Sequence, residues 1–155
     1  MKKILILLFT LLSFLFAEEE SLKVVFDLTT KDLAKFEKNI IKGVVVNKTY
    51  FEGQLKEYDV SVVIHGGAYR FFVKDLTHTI FKDDKRLATV YTELKKRISS
   101  LSDTYDVEFL MCGAAMKRNK LEAKDIVSYV KIIPNSTIGL VERQNEGYAY
   151  LPIRD

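Results

Sequence analysis

The stretch EFLMCGAAMKRN, Glu108 to Asn119, holds the one cysteine of the chain. A thiolate is a strong nucleophile, so Cys112 is the side chain with the most chemistry to offer. His65, in VVIHGGAY, is the second, because an imidazole takes up and releases protons near neutral pH. Both residues close an apolar run and both are followed by glycine, in HGG and CGA, which lets a backbone or ligand approach closely. His78, in LTHTI, has no such setting and reads as a surface residue.

The elements around them follow from periodicity. LKVVFDL (Leu22 to Leu28), YDVSVVIHGG (Tyr58 to Gly67), DVEFLM (Asp106 to Met111), Tyr129 to Ile133 and the YAYLPI ending are apolar, β-branched or aromatic runs that read as strands. Between the first two, Leu33, Phe36, Ile40 and Val44 recur at helical spacing, with Thr30 as N-cap. From Asp84 a second stripe, Leu87, Val90, Tyr91, Leu94, Ile98 and Leu101, predicts a long helix. AYRFFVKDL reads as a short helix or a loop covering a site. Gly113 to Arg118 reads as a short helix with Asn119 as its left-handed C′ residue, and Ser136 to Glu146 as a helix ending at Gly147. Strands alternating with helices predict an α/β fold: one domain, a mostly parallel sheet of about five strands, helices on both faces. Nearly continuous apolar strands such as VSVVI fit a sheet covered on both sides.

In such a sheet ligands bind at the carboxyl ends of the strands. Cys112 and His65 both stand at those ends, which share one edge, so the fold gives them the opportunity to act together. At the start of the short helix expected after Cys112, unpaired N–H groups and the helix dipole favour an anion and lower the thiol pKa. Lys117 and Arg118 add positive potential one to two turns on. Against this, a free cysteine often behaves as a small buried hydrophobe. On position alone the reactive and inert readings of Cys112 stand level. For His65, a loop histidine satisfying a backbone carbonyl stands ahead of a catalytic base.

The N-terminus reads as a secretory signal. Lys2 and Lys3 supply a positive start, Ile4 to Phe16 is apolar save for Thr10 and Ser13, and Ala17 precedes EEE. The expected boundaries are a signal peptide over 1–17 and one domain over 18–155, with the periplasm as destination. The apolar run is shorter than the roughly 20 residues a spanning helix needs, and no later run is long enough, so no membrane association is expected once the signal is cleaved. Of 24 basic residues Lys2 and Lys3 leave with the signal, so 22 face 21 acidic ones and the formal charge is about +1. No basic run interleaves with aromatics, which gives nucleic-acid binding no support.

FLMCGAAMKRNKL resembles the cysteine segment of the DsrE/DsrF-like sulfur-relay family, in which a strand runs into C-x-A-A-x-x-R. VVIHGGAYRFF and the ending IIPNSTIGLVERQNEGYAYLPI also resemble that family, in the same order and across essentially the whole exported part of the chain. The resemblance implies an α/β homo-oligomer, a trimer or hexamer. It also implies a persulfide carried on Cys112, received from a sulfur-donor protein and passed to an acceptor. His65 and Arg118 would tune or bind at that site, and no cofactor is implied. Asn119 stands where the family usually has glycine. A lone cysteine suits a carrier, because a neighbouring thiol would discharge the persulfide as a disulfide.

Two other readings remain. Met111, Cys112 and Met116 offer soft sulfur ligands for Cu(I), although strand alternation points Met111 away from Cys112 and core packing is the stronger account of both methionines; no metal site is expected. The chain could instead be a non-catalytic oligomeric module that binds a small ligand or partner, with an inert cysteine and with AYRFF and GYAY as contact surfaces. C-x-x-C, a phosphate-binding loop, H-E-x-x-H and G-x-S-x-G are all absent, which leaves hydrolase, kinase and dehydrogenase chemistry without a signature.

Overall fold

The computed structural model describes residues 21–155, so the signal peptide read over 1–17 lies outside the described residues. Among the described residues, β1 (Leu22–Leu28), β2 (Tyr58–Ile64), β3 (Glu108–Cys112), β4 (Val130–Ile133) and β5 (Ala149–Ile153) form one sheet in the order β4-β3-β2-β1-β5. Every neighbouring pair is parallel. All five carboxyl ends therefore share one edge, as expected for an α/β sheet.

The two faces are covered unequally. Between β1 and β2 run α1 (Leu33–Phe36), a π-helical stretch (Glu37–Lys42) and α2 (Gly43–Glu52); α3 (Lys85–Asp103) joins β2 to β3. Their buried side chains pack with Val24, Phe26, Leu28, Val60, Val62, Ile64, Phe109 and Met111 of the strands. On the opposite face lies α4 (Ser136–Asn145), against Val25, Val63, Leu110 and Ile133. There Gly139 brings α4 close to the sheet: a Cβ at that position would stand too near Ile133 Cδ1, whose end would have to shift, and would touch Val63.

Several local expectations change. The first helix is capped by Asp32, whose side chain accepts from the Lys35 N–H at 2.8 Å. Thr30 is buried and donates its hydroxyl to Asp155 at 2.5 Å instead. The helix also passes through a π turn, which the sequence stripe did not reveal. Widening the turn keeps Phe36, Ile40 and Val44, four residues apart, on one face and buries Ile41 as well. In α3 the stripe holds except at Val90, which is 37% exposed on the outer flank. β2 stops at Ile64, and AYRFF continues a 3-10 turn over Gly66–Phe71 that puts Tyr69 and Phe71 into the core.

Candidate functional site

The chain leaves β3 for the side of the sheet covered by α3, where Met116, Leu121 and Ile126 join the larger core. It leaves β4 for the other side, to form α4. The crevice between the ends of β3 and β4 is thus the topological switch point, where open α/β sheets bind ligands. Cys112, the last residue of β3, stands in that crevice and is 5% exposed.

The helix at its thiol is not the one the sequence suggested. After Cys112 come two short 3-10 turns, Gly113–Ala115 and Lys117–Asn119, rather than an α-helix. The residue in the left-handed conformation is Lys120, at φ 51° and ψ 40°. Asn119 stays in the turn and donates its side-chain amide to the Ala115 carbonyl at 2.9 Å. What meets the thiol from across the crevice is the N-terminus of α4. Burial alone would push the Cys112 thiol up. The backbone N–H groups of Ala115 and Ser136, with hydroxyls of Tyr69 and Ser136, outweigh burial and hold it below the usual thiol value.

Those contributions differ in kind. The N–H of Ser136 is one of the unpaired donors at the first position of a ten-residue helix, whose N-cap Asn135 accepts from Ile138. It is fixed by the backbone. Tyr69 is fully buried and its hydroxyl donates to the Cys112 carbonyl. A phenol has one proton, so in this arrangement the thiolate rests on the two N–H groups and the Ser136 hydroxyl. Burial, and then the neighbouring Cys112, hold Tyr69 well above the ordinary phenol range, so it remains a donor. Gly113 lets the β3 loop lie against β4, since a Cβ there would stand 3.0 Å from the Ile133 carbonyl oxygen.

His65 lies at the end of β2 but turns to β1. Its Nε2 meets Asp27 Oδ1 at 2.5 Å. Asp27 is 3% exposed, and its other oxygen accepts from the Tyr150 hydroxyl at 2.6 Å and from Arg154 at 3.0 Å. Burial would raise the Asp27 carboxyl, but the bonds from Tyr150, His65 and Arg154 bring it below the ordinary carboxylate range. Arg118 is exposed on the turn after Cys112, and its positive charge acts on the Tyr69 hydroxyl. The expected trio is therefore divided: Cys112 in the switch crevice, His65 in a carboxylate cluster one strand away, and Arg118 at the rim.

Tyr69, Ser136, Asp27, Tyr150 and Arg154 escaped the sequence reading. IHGGAY and IIPNST each placed one of the first two just beyond a strand end, which was the available signal. Met111 and Met116 lie in the core on the α3 side. Among the described residues no group of three or more His, Cys, Asp or Glu side chains is placed to hold a metal ion, and no helix is long and apolar enough to cross a membrane.

Fold and site together define an α/β protein of one parallel sheet with a thiol in the crevice at its topological switch point. The chain belongs to the DsrE/DsrF-like family, a family associated with sulfur relay, whose sequence model matches residues 23–153. It is similar to an uncharacterised protein of Aquifex aeolicus, 32% identical over 141 residues, which covers 90% of this chain and 58% of that protein. The chain thus spans less than two thirds of that relative's length. Its fold is similar to that of a protein of unknown function from Methanobacterium thermoautotrophicum. The TM-score is 0.61 at 18% identity, over 85% of this chain and 99% of the other.

Proposed function

We propose that this protein carries sulfur as a persulfide on Cys112, accepting it from one thiol and passing it to another. The observation that supports this most is the thiol's setting at the switch crevice, facing the Ala115 and Ser136 N–H groups. Those groups favour the thiolate that must attack a donor sulfur, and burial limits access of water and oxidant to the product. Family membership points to the same chemistry. The export segment read over 1–17 would place the carrier in the periplasm, and the resemblance would place it in a trimer or hexamer that meets donor and acceptor proteins. Both belong to the proposal.

A specific observation favours a second reading. With Cys112 nearly covered, an inert thiol in a ligand- or partner-binding module is the natural competitor. The intact mass of the protein after brief polysulfide exposure separates the two. The carrier gains sulfur mass that a reductant removes, and Cys112→Ser gains none. An unchanged mass on a folded native protein overturns the carrier reading in favour of the module.

A further inference from the structure

A second group of charged side chains gathers at the same carboxyl edge, away from the Cys112 crevice. The turn after β1, the 3-10 turn after β2 and the start of α3 enclose a cleft of about 450 Å³, a volume that suits a small ligand. Leu33, Phe71 and Leu87 give it an apolar floor, and Lys31, Arg70 and Arg86 stand around it. Arg70 is fixed in place: its Nε donates to the Gly67 carbonyl at 3.1 Å and its Nη1 to Asp84 at 2.7 Å. Lys31 and Arg86 are exposed and make no ion pair among the described residues.

The cleft already holds one carboxylate of the chain itself. Asp155 lines it and turns its side chain onto the turn after β1. Its Oδ1 accepts the Thr30 hydroxyl at 2.5 Å and the Lys31 N–H at 3.2 Å. Lys35 Nζ donates to the Arg154 carbonyl at 3.0 Å, which draws this segment over the cleft. Thr30, and after it the N–H groups of Lys31 and Asp32, hold the Asp155 carboxyl below the ordinary carboxylate range. The other two carboxylates of the cleft serve the fold, Asp32 as the cap of α1 and Asp84 as the cap of α3. Asp155 caps no helix and is exposed, whereas Thr30 beneath it is fully buried. A buried hydroxyl needs an acceptor, and this one takes its acceptor from a side chain that water can reach and a ligand can displace.

We propose that this cleft binds a small organic carboxylate with an apolar body, and that Asp155 fills the place of the ligand's carboxylate in the free protein. In the complex the ligand's carboxylate accepts from the Thr30 hydroxyl and the Lys31 N–H. Lys31 Nζ and the Arg86 guanidinium meet its charge, and its body lies over Phe71 and Leu87. The displaced Asp155 side chain turns into water, at small cost because it is exposed beforehand. The cleft lies outside the carboxyl ends of β1 and β2, the edge at which sheets of this kind receive ligands. The proposal is independent of the reading of Cys112.

The test is calorimetric titration of the full chain with benzoate, and with benzamide as its uncharged counterpart. Asp155→Ala removes the competing carboxylate and should bind benzoate on the order of tenfold more tightly than the native protein. Benzamide should bind neither. In the Asp155→Ala background, Lys31→Gln and Arg86→Gln should each weaken benzoate binding roughly tenfold. Lys56→Gln, the same loss of charge before β2 at the opposite edge of the sheet, should change it by less than about twofold. If circular dichroism shows Asp155→Ala unfolded, Asp155→Asn carries the test, because it keeps an acceptor for Thr30 and loses the charge. The proposal is overturned if the residue 155 variant shows no saturable benzoate binding or binds no more tightly than the native protein. It is equally overturned if benzamide matches benzoate, or if Lys56→Gln weakens binding as much as Arg86→Gln does.

Discussion

The two faces of the sheet are built for different tasks. On the side of α1, α2 and α3, the strands meet a continuous apolar core in which Phe36 stacks on Phe71 at 4.3 Å and meets Phe72 edge-on at 5.8 Å. On the side of α4, among the described residues, the buried apolar cluster is limited to Val25, Val63, Leu110 and Ile133. Leu140, Tyr148 and Tyr150 pack against it half-buried, and polar side chains flank it at both ends of the strands. Ser61 donates to Glu108 at 3.0 Å and Arg143 to the same carboxylate at 2.9 Å near the amino end, while Asp27, His65 and Cys112 occupy the carboxyl end. One face supplies the burial that stabilises the fold, which frees the other to hold groups that a dry core would exclude.

That division predicts how substitutions separate stability from reactivity. The largest effect should come from Phe36→Ala, which removes a fully buried ring from the helical core. A loss of about 3–5 kcal/mol is expected in denaturant unfolding, with the alkylation rate of Cys112 in the remaining folded protein unchanged. A parallel change in that rate would show that the two faces are coupled.

Gly139→Val tests the seam from the other side. The new side chain forces α4 away from Ile133 and Val63, at about 1–3 kcal/mol. Lifting α4 also withdraws the Ser136 N–H from the thiol, so alkylation of Cys112 should need higher pH. If stability falls and the pH profile stays in place, α4 does not set the thiol's acidity.

The smallest effect on stability, and the sharpest on chemistry, should come from Ser136→Pro. Proline suits the first position of a helix, and the residue before it, Asn135, is already extended at φ −158° and ψ 166°. The fold should therefore persist while the thiol loses both the N–H and the hydroxyl of residue 136. Its pKa should rise toward the ordinary thiol value, seen as an alkylation profile displaced to higher pH. Linkage fixes the companion sign. A thiol whose folded pKa lies below its unfolded value adds stability above the unfolded value, and that stability is lost as pH falls through the folded one. Native protein should gain stability over Ser136→Pro as pH is raised through that window. Unfolding curves at several pH values check this, and a difference that does not vary with pH would remove Ser136 from the thiol's electrostatics.

How much of this could be read beforehand depended on the range of the forces involved. VSVVI reads as a buried strand because its apolar residues are consecutive, and α3 reads as a helix because its stripe recurs every three or four residues. Both patterns are local, and the structure keeps them with shifts of a few residues at the ends. The π turn was hidden because a residue period of four fits an ordinary helix nearly as well. The helix expected after Cys112 did not form as an α-helix: two 3-10 turns fold its residues back so that Met116 and Leu121 reach the core.

The carboxylate cluster lay furthest from view. Asp27 bonds residues 38, 123 and 127 positions away in the chain. Nothing in LKVVFDL distinguishes its aspartate from a solvated one. From the residues alone came the five apolar runs, the alternation that makes the sheet parallel, and the placing of one thiol and one imidazole at its carboxyl edge. Only the tertiary structure decided that the thiol faces the N-terminus of α4, and that the imidazole is held by a buried carboxylate from the neighbouring strand. Hydrophobic periodicity is written into successive residues, whereas the field around a titrating group is the sum of charges and dipoles that folding brings together from distant ones.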